Sequence, residues 1–250
     1  MENKYIILIA LAIFLAGGIL IGMQFAPEKV ITKEVPGNLI KKQNTIPLAA
    51  VDSNEKGIIA YLDTEIRDGS GLVLVNINNI LADYLTQYSA RTAAQVAANY
   101  SKISIKDMDV IYNIRANASV IGGPSAGAAL AVATVALLEN KTPNKEVIIT
   151  GTINEDESIG EIGGVLEKGK AAKENGFKLF LVPSGQGTNV VKYKEEKKCM
   201  DFDSIRYCEV RVIPETTSIA KEVGIEVREV KDLKEALGYL LGWEKILLLD

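Results

Sequence analysis

The chain has 250 residues, 48% hydrophobic and 24% charged, with a net charge of −4. That length holds one large domain or two small ones, with a core that needs no metal or disulfide to close it. There is no histidine, which excludes Ser-His-Asp and Cys-His catalysis and the common histidine-containing zinc sites; the charge balance also gives no sign of the clustered Lys and Arg that nucleic-acid phosphates require.

No charged residue stands between Tyr5 and Pro27, and Tyr5–Phe25 is dominated by Ile, Leu, Ala, Phe and Gly. At about 1.5 Å per residue this stretch is roughly 30 Å long, the thickness of a bilayer core. A cleavable signal peptide would have an apolar region of only about 7–15 residues and a small-x-small cleavage site. Residues 1–27 are therefore expected to form an uncleaved single-pass anchor. Lys29, Lys33, Lys41 and Lys42 outnumber Lys4, which argues for a cytoplasmic body. The position of the anchor at the start, three Asn-x-Ser/Thr sequons (Asn99, Asn117, Asn140) and a cysteine pair argue for an extracytoplasmic one, the side preferred here. Residues 28–45 are polar and Lys-rich, with Pro36 and Gly37 inside, and read as a linker.

From Ile46 onward strand and helix signals alternate, which predicts a single α/β (α+β) domain over residues 46–250. Gly57–Arg67 and Leu72–Val75 read as strands joined by the turn Asp68-Gly69-Ser70-Gly71, a hairpin. Ile80–Ala98 has helical spacing, with Leu81, Leu85, Tyr88 and Val96 among its apolar positions. Val110–Ile114, Val147–Thr150 and Leu179–Val182 suit short strands. Ile225–Val230 alternates as a strand, and Leu233–Leu241 is a closing amphipathic helix. The run Lys192–Lys198 reads as a solvated surface excursion. Cys199 and Cys208 are either two unremarkable thiols or a disulfide closing a short surface loop. The disulfide would add roughly 2–3 kcal/mol and fit an oxidising compartment.

The most unusual local feature is Gly122-Gly123-Pro124-Ser125-Ala126-Gly127, followed by an Ala-rich run, Ser125–Leu138, without charge. Fourteen helical residues measure roughly 21 Å, too short for a bilayer, so this run is expected as a buried helix. Ser125 is then either a helix cap or a nucleophile beside unpaired N–H groups and the positive end of a helix dipole, where an oxyanion is stabilised. Gly123-Pro124-Ser125-Ala126-Gly127 fits the G-x-S-x-G elbow, but that motif needs a histidine base. A phosphate cradle lacks its G-x-x-x-x-G-K-[ST] signature.

Without histidine, a lysine of lowered pKa is the natural base for serine. After Gly163-Gly164, the sequence Val165 to Glu174 reads as a helix. At about 100° per residue, Val165, Lys168, Ala171 and Ala172 share one face. Lys168 is the lysine on that apolar stripe, with small neighbours that leave room for its side chain; the bland alternative is that it snorkels along the surface. Ser53–Lys56 and Ser218–Lys221 also fit S-x-x-K, but their companion motifs are missing and both are read as chance.

Together these motifs resemble the proteolytic domain of Lon proteases. Gly123-Pro124-Ser125-Ala126-Gly127-Ala128-Ala129 is similar to the family's nucleophile motif. Thr150-Gly151, Gly160, Gly163-Gly164 and the Glu167-Lys168 helix are similar to its lysine block, and the likeness runs on through Phe180-Leu181-Val182-Pro183. The resemblance implies a Ser125–Lys168 dyad, with Thr150 orienting the lysine and the turn at Gly123 and Ala126 holding the oxyanion. It implies no cofactor or metal, a polypeptide substrate and a possible hexameric ring. Bacterial members carry an acidic residue three positions before the serine, where Gly122 stands here. The histidines some members place on the preceding strand have no counterpart around Ile111 and Asn113. No Walker motif occurs in the chain, so ATP-driven unfolding is expected to be absent or supplied by another protein. The resulting expectation is a membrane-anchored, ATP-independent serine endopeptidase; the alternative is an inactive membrane-tethered binding or scaffold module on the same fold.

Overall fold

The computed structural model describes residues 41–77, 80–116, 122–188, 190–202 and 205–242. The predicted anchor Tyr5–Phe25, most of the predicted linker and the sequon at Asn117 lie outside them. Among the described residues no helix is long and apolar enough to cross a membrane.

Strand β1 (Lys41–Val51) pairs antiparallel with β2 (Gly57–Asp68) along its whole length. The turn between them is tied by Asp52, whose Oδ1 accepts the N–H groups of Asn54 and Lys56, both at 2.9 Å. β1 thus takes in the last five residues of the expected linker: the polar residues Lys41–Thr45 join the ladder, and Ile46 and Leu48 anchor the strand in the core.

The expected hairpin between β2 and β3 (Val73–Ile77) does not form. β5 (Met108–Arg115) lies between them, antiparallel to β2 and parallel to β3. With β4 (Ile80–Leu81) the sheet order is β1-β2-β5-β3-β4. The reason lies in the turn at Asp68–Gly71, which closes on Asp109 at the start of β5: Asp109 Oδ1 accepts the N–H groups of Ser70 and Leu72 at 2.9 and 3.1 Å. A Gly-rich turn signal does not say which strand receives it.

Helix α1 (Tyr84–Ser101) makes the crossover from β3 to β5. It starts four residues later than expected, because Ile80 and Leu81 pair with β3 instead. Its buried face includes Thr86, Ser89, Ala90, Ala93, Ala94, Val96 and Ala97; of the apolar positions that gave the helical spacing, Val96 is buried, whereas Leu85 and Tyr88 are 55% and 53% exposed. Small side chains win because α1 packs against α2 (Gly127–Leu138), a helix buried at every position; close approach of two helices leaves no room for bulk. The burial of α2 agrees with the expected core helix.

A second sheet, of three parallel strands in the order β12-β9-β6, is built from β6 (Val147–Ile149), β9 (Leu179–Pro183) and β12 (Glu226–Val230). Parallel neighbours need crossovers. The first contains the short pair β7 (Thr152–Ile153) and β8 (Ile159–Gly160), then α3 (Val165–Glu174). The second contains α4 (Ile219–Val223) and a ribbon of β10 (Val190–Phe202) with β11 (Ile205–Thr217). Ser218 is simply the cap of α4, its side chain accepting the Lys221 N–H. Helix α5 (Leu233–Leu241) closes the fold within its expected bounds. The charged run Lys192–Lys198 is one strand of the ribbon. Cys199 faces Cys208 across it with Cα atoms 4.0 Å apart, and the two form a disulfide.

Candidate active site

Ser125 occupies a 3-10 turn, Pro124–Ala126, that leads into α2. Gly123 turns the chain with a φ of 96°, a conformation other residues adopt at a cost. Among the described residues no atom beyond its chain neighbours lies within 4 Å of where its Cβ would stand, so conformation rather than space favours glycine there. Gly127 is needed for the opposite reason: a Cβ there would come within 2.8 Å of both the Ile153 nitrogen and Ser89 Oγ.

The turn is held by α1 and by the end of β6. Ser89 Oγ donates to the Pro124 carbonyl at 3.3 Å. Thr86 Oγ1 accepts the Gly123 N–H at 2.9 Å and donates to Asp83 Oδ2 at 2.8 Å. Burial pushes the Asp83 carboxyl up, but the N–H and hydroxyl of Thr86 and the N–H groups of Gly123 and Leu85 outweigh it and hold the pKa below the usual value. On the other side, the Gly151 N–H donates to the Ser125 carbonyl and the Gly151 carbonyl accepts from Ala128, both at 3.0 Å.

Lys168 comes from α3. The helix begins after Gly164, whose φ is 67°, and turns Lys168, Gly169, Ala171 and Ala172 inward. This agrees with the face read from the sequence, although Val165 is only half-buried. Gly57 lets β2 approach this helix: a Cβ there would be 1.9 Å from the Glu167 carbonyl oxygen. Lys168 is 3% exposed, and desolvation pushes its ammonium pKa down from 10.5 to about 8. At pH 7 that leaves roughly one amine in ten neutral, against about one in three thousand at the ordinary value.

Lys168 Nζ donates to Thr150 Oγ1 at 3.4 Å, and Thr150 Oγ1 donates in turn to the Ser125 carbonyl at 3.3 Å. Thr150 is 1% exposed. No direct hydrogen bond joins Lys168 Nζ to Ser125 Oγ among the described residues; Thr150 is the link. Ser125, Lys168, Gly123 and Ala126 line one cleft of about 580 Å³, walled by Ala50 and Val51 of β1, a size suited to a peptide side chain and its flanking backbone. A buried amine with a lowered pKa, sharing a cleft with a serine at a helix start, is equipped to take up a proton and to support acyl transfer.

Sequence reasoning missed the β1 wall and the supports on α1. The pattern Asp83-x-x-Thr86 is a helix-start signal, but nothing in it says which loop the threonine meets.

The family model of the Lon protease (S16) C-terminal proteolytic domain matches residues 62–210. The Lon protease of Koribacter versatilis is 31% identical over 194 residues, covering 76% of this chain and 21% of that protein. The Lon protease of Metamycoplasma arthritidis is 29% identical over 199 residues, or 74% of this chain and 24% of that protein. The archaeal Lon protease of Methanocaldococcus jannaschii is 32% identical over 153 residues, or 58% of this chain and 24% of that protein. The chain thus spans about a quarter or less of the length of these relatives. It belongs to the family of the Lon protease C-terminal proteolytic domain, a family of peptidases.

Proposed function

We propose that the protein is a serine endopeptidase with a Ser125–Lys168 dyad, anchored to a membrane by Tyr5–Phe25 and acting without ATP on unfolded or flexible polypeptide. The observation that carries this reading is the burial of Lys168 in the cleft that also holds Ser125, with Thr150 bonded to both residues. Neutral Lys168 takes the Ser125 proton as Ser125 Oγ attacks the peptide carbonyl. The resulting ammonium returns that proton to the leaving amine, and the C–N bond breaks to leave an acyl-serine. Water then attacks the ester, Lys168 accepts its proton, and the proton returns to Ser125 Oγ as the acid product leaves. Backbone N–H groups at the start of α2, that of Ala126 among them, stabilise the oxyanion, while Gly123, whose own N–H is held by Thr86, shapes the turn. Hydrogen bonds of this kind are commonly long without substrate and tighten when it binds.

The disulfide between Cys199 and Cys208 supports an extracytoplasmic body, because such bonds persist in oxidising compartments. Protease access to the body in sealed vesicles tests the side.

The test of the chemistry is peptide cleavage by the full chain and by Ser125→Ala and Lys168→Ala. Both variants are expected to lose cleavage, and parental rates in both would end the dyad reading. Failure of Ser125 to react with a serine-directed probe would favour the binding-module alternative.

A further inference from the structure

We infer that Asp83, acting through Thr86, is the positioning residue for the turn that carries Ser125, and that its carboxylate occupies the space a side chain at position 122 would fill. The inference rests on the reading of Ser125 as nucleophile. A Cβ built on Gly122 would lie 2.5 Å from Asp83 Oδ2 and 3.9 Å from Thr86 Oγ1. The backbone of Gly122 is not in the left-handed region, so it is the carboxylate from α1, rather than conformation, that keeps position 122 bare.

Thr86 is 2% exposed and itself lines the cleft. A hydroxyl has one proton. At 2.8 Å, Asp83 Oδ2 takes that proton, which leaves a lone pair of Thr86 Oγ1 for the Gly123 N–H at 2.9 Å. Gly123 is two residues from the nucleophile, and its positive φ sets the direction of the turn. Asp83 Oδ1 separately caps α1 through the Thr86 N–H at 3.0 Å. The two carboxylate oxygens therefore have different tasks: one secures the helix and the other orients the threonine.

The two tasks can be separated. Ser caps a helix about as well as Asp, so Asp83→Ser keeps the cap and removes the second oxygen. Thr86→Val removes the hydroxyl, and Thr86→Ser keeps it. The double variant Asp83→Ser with Gly122→Asp returns a carboxylate from the loop side. Each full-chain variant is assayed for kcat, KM and thermal unfolding, with Ser125→Ala as the blank. Asp83→Ser and Thr86→Val are expected to lower kcat about 10- to 100-fold, the effect of a nucleophile displaced by about an ångström. KM stays within about twofold, because the loss falls on the transition state. Thr86→Ser retains kcat, and the double variant recovers kcat relative to Asp83→Ser at similar unfolding temperature. The inference is overturned if Asp83→Ser and Thr86→Val keep parental kcat while Ser125→Ala is inactive, or if the double variant recovers nothing. If the parent cleaves no faster than Ser125→Ala, the nucleophile reading itself fails and the inference falls with it.

Discussion

Replacing Lys168 with methionine should stabilise the protein at neutral pH while removing its chemistry. Methionine keeps the length and apolar stem of lysine and adapts to irregular spaces. What it removes is an ammonium held in a site where only 3% of the residue meets solvent. Burial lowers the Lys168 pKa from 10.5 to about 8. At about 1.4 kcal/mol per unit, that shift is a cost on the order of 3 kcal/mol whenever the lysine is protonated. The sign follows from proton binding. Between about 8 and 10.5 the unfolded chain holds the proton and the folded chain does not, so parental stability rises with pH across that window. Below about 8 both states are protonated and the full cost is present; above 10.5 neither is, and the cost is gone. Urea unfolding of parent and Lys168→Met at a series of pH values should therefore give a gain of about 2–3 kcal/mol at pH 7 that shrinks toward zero as pH rises through this window. A variant less stable than the parent at pH 7, or a difference that stays flat to pH 11, would show that the ammonium is solvated or paired in the fold and that the reasoning is wrong.

Three further perturbations probe the parts that set the geometry. Gly57→Ala places a Cβ where the Glu167 carbonyl stands, so α3 must shift; we expect a loss of about 1–3 kcal/mol in stability by denaturant titration and a fall in kcat of at least about tenfold. Thr150→Val deletes the link between Lys168 and the Ser125 carbonyl; kcat should fall about tenfold with little change in KM, and an unchanged kcat would remove Thr150 from the mechanism. Reducing the bond between Cys199 and Cys208 acts at a pair inside the exposed ribbon, away from both cores. Amide exchange should accelerate in residues 190–217 and stay slow in α2, with peptide cleavage unchanged; loss of protection in α2 would contradict this.

The two residues of the proposed dyad stand out in the sequence because their chemistry is unusual in its surroundings. Lys168 is the lysine on a stripe with Ala171 and Ala172, and burial follows from that spacing. Ser125 announced itself through the two glycines and proline before it, and the uncharged run after it matched a helix buried throughout. Strand partners were much less legible. The turn at Asp68–Gly71 is closed by Asp109, some forty residues away, and no local pattern reveals that. In helix α1 the apolar positions Leu85, Tyr88 and Val96 show helical spacing but do not identify the inner face. Against a neighbour as tightly packed as α2, the inner face is made of Ala, Ser and Thr, and Leu85 and Tyr88 are left outside. Lys192–Lys198 reads as a solvated surface excursion, and residues 193–198 are exposed; what the sequence does not show is the strand pairing, because a strand with solvent on both sides has no reason to alternate.

The central claim is that the amine of Lys168 activates the hydroxyl of Ser125, and covalent labelling by a serine-directed phosphonate measures this most directly. The full chain should label at Ser125, at a rate that rises with pH around a midpoint of about 8. Lys168→Met should label at least about 100-fold more slowly, the contribution expected of a general base, and Ser125→Ala should not label. Equal labelling of Lys168→Met and parent, or modification of the parent at some other residue, would contradict the account.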